Sequence, residues 1–182
     1  MNKSKAVFLD RDGTLNKDQG YVHKTEDFEL LPGVIEGLKI LRDDFIFIII
    51  TNQSGIGRGY YTEDDFLAFN NLLVETLAKE EIKIQAIYFC PHLKEENCNC
   101  RKPNTKFIDL SVDKFNINRA ESWMIGDHPS DIFLGINAGI KTVFLLTGHG
   151  SEHTNDLKEK NIDPTIIAKD FVTAAKFING SL

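Results

Sequence analysis

Two aspartates stand two residues apart in the segment Asp10-Arg11-Asp12-Gly13-Thr14. A carboxylate can attack phosphorus and form an acyl phosphate, which splits one difficult displacement into two easier steps. A second carboxylate at this spacing can protonate the leaving alkoxide and then take a proton from water, a role worth about 100 to 10,000-fold in rate. Asp10 suits the first task and Asp12 the second, with Gly13 permitting a tight backbone between them. The same pair could also simply cap a turn, as Asp often does.

Three further clusters carry complementary chemistry. Thr51-Asn52-Gln53-Ser54-Gly55 offers hydroxyl and amide donors that could hold phosphoryl oxygens without adding a competing nucleophile. Arg101-Lys102 supplies adjacent cations, useful wherever charge on a transferring phosphoryl group must be stabilised. Gly126-Asp127-His128-Pro129-Ser130-Asp131 supplies more carboxylates. Asp127, with Asp10 and the backbone carbonyl of Asp12, could form an oxygen site for a hard cation, while Asp131 orients the ligands around it. Asp131 reads equally well as a favourable acid in a first helical turn. Mg2+ is the expected ion, since a carboxylate nucleophile and an anionic phosphate otherwise repel.

Cys90, His92, Cys98 and Cys100 form a Cys-x-His-x5-Cys-x-Cys arrangement that uses every cysteine in the chain. Four soft or borderline ligands with no open position point to a structural, tetrahedral Zn2+. Such a site would brace the loop 90–100 and give Arg101 and Lys102 a rigid base. The remaining histidines His23, His149 and His153 read as loop residues.

The elements that must position these clusters alternate. Ala6 to Leu9, Phe45 to Ile50, Ile84 to Phe89, Trp123 to Ile125 and Thr142 to Leu146 are short apolar runs that read as buried strands, with a further strand near Ile166-Ile167. Between them lie helix signals: Pro32 ahead of Val34, Ile35, Leu38 and Leu41; a Thr62 cap ahead of Phe66, Phe69, Leu73 and Leu77; Phe107 to Phe115; Pro129 to Ala138; and Phe171 to Ile178. The pattern predicts an α/β chain, a doubly wound parallel sheet with helices on both faces. Ligands then sit beyond the carboxyl ends of the strands, where Asp10, Thr51, Cys90 and Asp127 fall.

With 182 residues the chain is read as one domain, 1–182, of ordinary globular composition. A net charge of -6 argues against a broad nucleic-acid or anionic-membrane surface. The apolar runs are too short for a signal-peptide core or a membrane span. A cytoplasmic monomer is expected, with a small-molecule partner, no nucleic acid and no membrane.

In this order the motifs closely resemble the haloacid dehalogenase superfamily of phosphohydrolases, over residues 5 to about 150. The resemblance implies a Rossmann-like three-layer fold, Asp10 as nucleophile, Asp12 as general acid and base, Thr51 and Lys102 as phosphoryl-stabilising groups, and a magnesium site at Asp10, Asp12 and Asp127 supported by Asp131. The zinc loop resembles a subgroup with no large cap domain, comprising sugar-bisphosphate and histidinol phosphatases. The segments Phe8 to His23 and Thr51 to Gly59 are similar to the heptose-bisphosphate members. That likeness implies a substrate-binding set of Arg11, Asp18, Gln19, Gly20, Tyr21, Asn52, Gln53, Ser54, Arg101 and His128. It also implies removal of the 7-phosphate of D-glycero-D-manno-heptose 1,7-bisphosphate. The five residues between His92 and Cys98 are as in histidinol phosphatases, the alternative within the subgroup. A phosphoaspartate signalling receiver is the alternative of another class, although its acceptor Asp would be expected on a later strand.

Overall fold

The computed structural model describes residues 3–180; Met1, Asn2, Ser181 and Leu182, at the ends of the expected domain, lie outside the described residues. Six strands form one sheet: β1 (Lys5–Leu9), β2 (Phe45–Asn52), β3 (Ile84–Cys90), β4 (Trp123–Gly126), β5 (Lys141–Leu145) and β6 (Ile166–Ala168). They are parallel and ordered β3-β2-β1-β4-β5-β6. Seven helices connect or flank them: α1 (Val34–Leu41), α2 (Ser54–Gly57), α3 (Glu63–Lys79), α4 (Lys106–Phe115), α5 (Pro129–Ala138), α6 (Gly150–Glu159) and α7 (Phe171–Ile178).

The two-residue period of a strand sorts the core into layers. Val7 and Leu9 of β1, with Phe47 and Ile49 of β2, face α1, α3 and α7 through Leu38, Leu73, Leu77 and Phe171. Ala6, Phe8 and Ile48 point the other way, onto α4 and α5 through Ile108 and Leu134. Phe144 of β5 meets Leu157 of α6 on a third, smaller cluster. Burial on both faces is why these strands read as unbroken apolar runs rather than alternating ones.

Leu9 is level with Ile49 on one side and Ile125 on the other. The next residues therefore put Asp10, Thr51 and Asp127 at one edge of the sheet. The strand order reverses between β1 and β4, the crevice where ligands of doubly wound sheets bind. No inserted domain interrupts the described residues.

Several details differ from the sequence reading, the short helix α2 among them. Strand β2 runs on through Thr51 and Asn52, because both pair with β3 at Phe89 and Cys90. Helix α6 was not anticipated, since only Gly150 and Leu157 of it are buried and it carries no apolar stripe. Among the described residues no helix is long and apolar enough to cross a membrane.

Candidate active site

Asp10 leaves the end of β1 with its N–H bonded to the Ile125 carbonyl at 2.9 Å, which fixes it against β4. Helix α5 brings the second carboxylate. His128 is its N-cap and Asp131 its third residue: one Asp131 oxygen accepts the His128 N–H at 3.1 Å. The other lies 2.7 Å from Lys102 Nζ, so Asp131 caps the helix and faces the cluster at once. Lys102 Nζ also lies 2.7 Å from Asp10 Oδ1, bridging the two carboxylates in full burial. Asp127 completes the cluster. Its oxygens accept from the His149 N–H at 2.9 Å and from Thr14 Oγ1 at 3.4 Å. Gly13 has φ +78°, and a Cβ there would stand 2.1 Å from an Asp127 oxygen, so close approach as well as backbone conformation requires glycine.

Carboxylate oxygens of Asp10, Asp127 and Asp131 lie within 4.8 Å of one another. Burial, then Asp131, pushes the Asp10 pKa up to about 7, against the pull of Lys102. Burial, then Asp10 and Asp131, pushes Asp127 up to about 8. Burial lowers Lys102, yet Asp10 and Asp131 together hold it above its ordinary value. One lysine does not offset three buried carboxylates. The hard oxygen donors, with the raised pKa values of Asp10 and Asp127, fit a divalent cation of the Mg2+ kind.

Asp12 is held differently. Arg11 lies fully buried between the rings of Phe66 and Phe69, with its guanidinium carbon 5.3 and 4.6 Å from their centroids. It donates from Nε and Nη2 to the two Asp12 oxygens, at 2.9 Å each, and from Nη2 to the Val22 carbonyl at 3.0 Å. This corrects its sequence placement with the substrate-binding residues: no part of Arg11 reaches the cleft, because its charge is spent on Asp12. Asn52 likewise braces Lys102, accepting the Lys102 N–H at 3.0 Å and donating to its carbonyl at 3.5 Å.

Above the carboxylates opens a cleft of about 830 Å³, lined by Asp10, Asp12, Thr51, Ser54, Arg101 and His128 among others. Asp18, Gly20, Tyr21, Asn52 and Gln53 also line it, whereas exposed Gln19 does not. Arg101 is anchored by donation to the His92 carbonyl at 3.2 Å. His128 Nδ1 accepts the Ser130 N–H at 3.1 Å, so Nε2 carries the proton of the neutral ring. Burial, then His153, lowers the His128 pKa to about 4, which keeps it neutral. Tyr61, Lys94, Phe133, His149 and Lys160 line the cleft as well and were not singled out from the sequence. They stand far apart in the chain, Phe133 within α5 and the others on loops or at helix ends, and no spacing marks them.

Below one wall lie the cysteines. Cys100 Sγ is 3.2 Å from Cys90 Sγ and 3.5 Å from Cys98 Sγ, and His92 Nδ1 is 3.2 Å from Cys100 Sγ. All four ligand atoms fall within 4.8 Å of one another, a fit to a closed tetrahedral site.

Residues 99–174 match the family model Hydrolase_like, described as HAD-hydrolase-like. The chain is 44% identical over 151 residues to the D-glycero-alpha-D-manno-heptose-1,7-bisphosphate 7-phosphatase of Campylobacter jejuni, covering 82% of this chain and 87% of that protein. It is 45% identical over 167 residues to the corresponding beta-anomer enzyme of Helicobacter pylori, covering 87% and 96%. Its fold matches the crystal structure of D,D-heptose 1,7-bisphosphate phosphatase from B. bronchiseptica complexed with magnesium and phosphate. The TM-score is 0.88 with 25% identity, over 98% of this chain and 99% of that one. The chain therefore belongs to the haloacid dehalogenase superfamily of phosphomonoester hydrolases, in the family of the heptose-1,7-bisphosphate 7-phosphatases.

Proposed function

We propose that this protein removes the 7-phosphate of a D-glycero-D-manno-heptose 1,7-bisphosphate through a phosphoaspartate on Asp10. The observation that carries the reading is Lys102 clamped between Asp10 and Asp131 beside Asp127 at the β1/β4 crevice. It is supported by relatives whose substrate is that sugar.

An Asp10 oxygen attacks phosphorus and the P–O bond to the sugar breaks. Asp12 gives its proton to the departing alkoxide. Water then attacks the acyl phosphate and passes its proton to Asp12; Asp10 is restored as inorganic phosphate leaves. Thr51, one residue before the end of β2, donates its hydroxyl to a phosphoryl oxygen, and Lys102 holds charge beside the reacting carboxylate. Asp10, Asp127 and the Asp12 carbonyl would hold Mg2+, with Asp131 supporting them. When bound, that ion screens phosphate from carboxylate and orients the phosphoryl group. Cys90, His92, Cys98 and Cys100 would hold a structural Zn2+ that keeps Arg101 and Lys102 in place. Asp18, Gly20, Tyr21, Ser54, Arg101 and His128 form the sugar-phosphate pocket.

Phosphate release from the heptose bisphosphate and from histidinol phosphate, measured under identical conditions, tests the substrate. A large preference in kcat/KM for the heptose compound is expected, and the reverse preference overturns it. Asp10→Ala should abolish turnover, and acid quench of the wild type should trap phosphate on residue 10. Wild-type-like turnover by Asp10→Ala would refute the nucleophile.

A further inference from the structure

The Asp12 carboxylate is saturated with donors. Oδ1 accepts from Arg11 Nε and Asn16 Nδ2, both at 2.9 Å. Oδ2 accepts from Arg11 Nη2 at 2.9 Å and Gln53 Nε2 at 2.8 Å. Four N–H donors occupy the lone pairs of this carboxylate and fix the direction it faces; as an acid it gives up one of them, and the donors that remain keep it turned the same way. How the clamp is built therefore decides where Asp12 points.

Gln53 is one of two neutral amides in that clamp, with Asn16, and the one of the two that lines the cleft. Its side-chain amide could be placed in two orientations, and its neighbours select one. Tyr61 Oη donates to Gln53 Oε1 at 2.5 Å, and Arg11 Nη2 donates to the same oxygen at 3.3 Å. With the oxygen committed to two donors, the NH2 must face the other way, onto Asp12 Oδ2 and Thr51 Oγ1, each at 2.8 Å. A flipped amide would set donor against donor at one end and oxygen against carboxylate at the other. Tyr61 is itself fixed. It is buried, its ring stacks on His23 with centroids 4.6 Å apart, and it fills the space a Cβ on Gly55 would need. Burial raises its pKa to about 12, so the phenol stays a donor.

We propose that Gln53 and Tyr61 are positioning residues for the proton-transfer step: the Tyr61 hydroxyl orients the Gln53 amide, and that amide aims Asp12. The inference rests on the phosphatase reading above, with Asp12 as the acid. Neither side chain is asked to touch the substrate's reacting atoms.

An alkoxide leaving group needs the proton and a nitrophenolate does not, so the ratio of kcat/KM for a sugar phosphate to that for p-nitrophenyl phosphate isolates the step. Gln53→Met should lower this ratio at least about tenfold, a part of the roughly 100 to 10,000-fold that a positioned acid supplies. Tyr61→Phe, which keeps the ring and loses the hydroxyl, should lower it about threefold, on the order of one net hydrogen bond. In the Gln53→Met background Tyr61→Phe should add nothing, because no amide remains to orient. Retained p-nitrophenyl phosphate hydrolysis by Tyr61→Phe reports an intact fold and metal site, whereas Gln53→Met, which also loses its bond to Thr51, is read from the ratio alone; Tyr61→Phe decides the matter if Gln53→Met does not fold. An unchanged ratio in Tyr61→Phe, or equal losses on both substrates, overturns the proposal. Asp12→Asn separates the two levels. If it leaves the ratio unchanged, the acid assignment fails. If it lowers the ratio while the other two variants do not, only the positioning inference fails.

Discussion

Lys102 sits 2.7 Å from two buried carboxylate oxygens, and that single side chain decides the electrostatics of the candidate site. Removing one partner of a buried ion pair typically costs about 3–5 kcal/mol, because the remaining charge is left uncompensated. Here the remaining groups can take up protons, since Asp10 and Asp127 already have pKa values of about 7 and about 8. Lys102→Met should therefore destabilise the protein strongly at pH 8.5 and much less at pH 5.5, as read from urea midpoints, and should abolish turnover at both. Equal destabilisation at the two pH values would mean that the carboxylates do not respond as a cluster. Arg11 shows the opposite use of a cation. Its bidentate fork holds Asp12 and its buried plane packs on Phe66 and Phe69, so a lysine there could not replace it.

Elements transmit these constraints. Strand β3 ends at Cys90, level with Asn52 of β2, so the cysteine cluster begins one strand away from Thr51. The connection from β3 to α4 then returns through Cys98 and Cys100 directly into Arg101 and Lys102. Asn104 donates to the Cys98 carbonyl at 3.0 Å, and Asn137 of α5 donates to the Pro103 carbonyl at 3.2 Å. If Cys90, His92, Cys98 and Cys100 hold zinc as proposed, that ion orders this connection. Cys98→Ser should reduce zinc retained after dialysis by at least the roughly 10–100-fold that lesser changes around metal sites cause. Turnover should fall with it, as Lys102 loses its base. Zinc content by plasma mass spectrometry, followed beside kcat, checks this; full activity in zinc-free Cys98→Ser would show that the loop holds itself. Helix α5 does two jobs with one residue, since Asp131 closes its first turn and faces Lys102.

For the whole molecule, stacking acids at the sheet's switch point makes stability a function of pH and metal. Asp10 and Asp127 are raised from an ordinary 3.8 to about 7 and about 8. Between pH 4 and 8 the folded chain keeps protons that the unfolded chain has released, so raising pH through this window lowers stability. Lys102, whose pKa is raised, keeps its charge in both states over the same range and adds no slope. Without divalent cations the melting temperature should drop from pH 5.5 to pH 8.5, and the increase brought by Mg2+ should be largest at the upper end. Scanning fluorimetry with and without Mg2+ measures both. A Mg2+ increment that shrank as pH rose would contradict carboxylate ligation.

Much of this was legible in the sequence because it is local. The apolar runs of β1, β2 and β3, the Thr62 cap and the Pro129 start announce themselves over a few residues, and Asp10-x-Asp12 and Cys-x-His-x5-Cys-x-Cys are spacings within one loop. Strand ends collect at one edge of any parallel α/β sheet, so even the convergence of Asp10, Thr51 and Asp127 follows from topology. What the linear order could not decide is where a long polar side chain spends its donors. Arg11 looks like a substrate ligand beside the nucleophile, yet Phe66 and Phe69 of α3 enclose it and turn it onto Asp12. Tyr61 and Lys160 reach the cleft from α3's leading loop and from α6's end, and helix α6 has almost no buried face to signal it. Orientation of a side chain depends on neighbours far away in sequence, and only the packed tertiary structure supplies them.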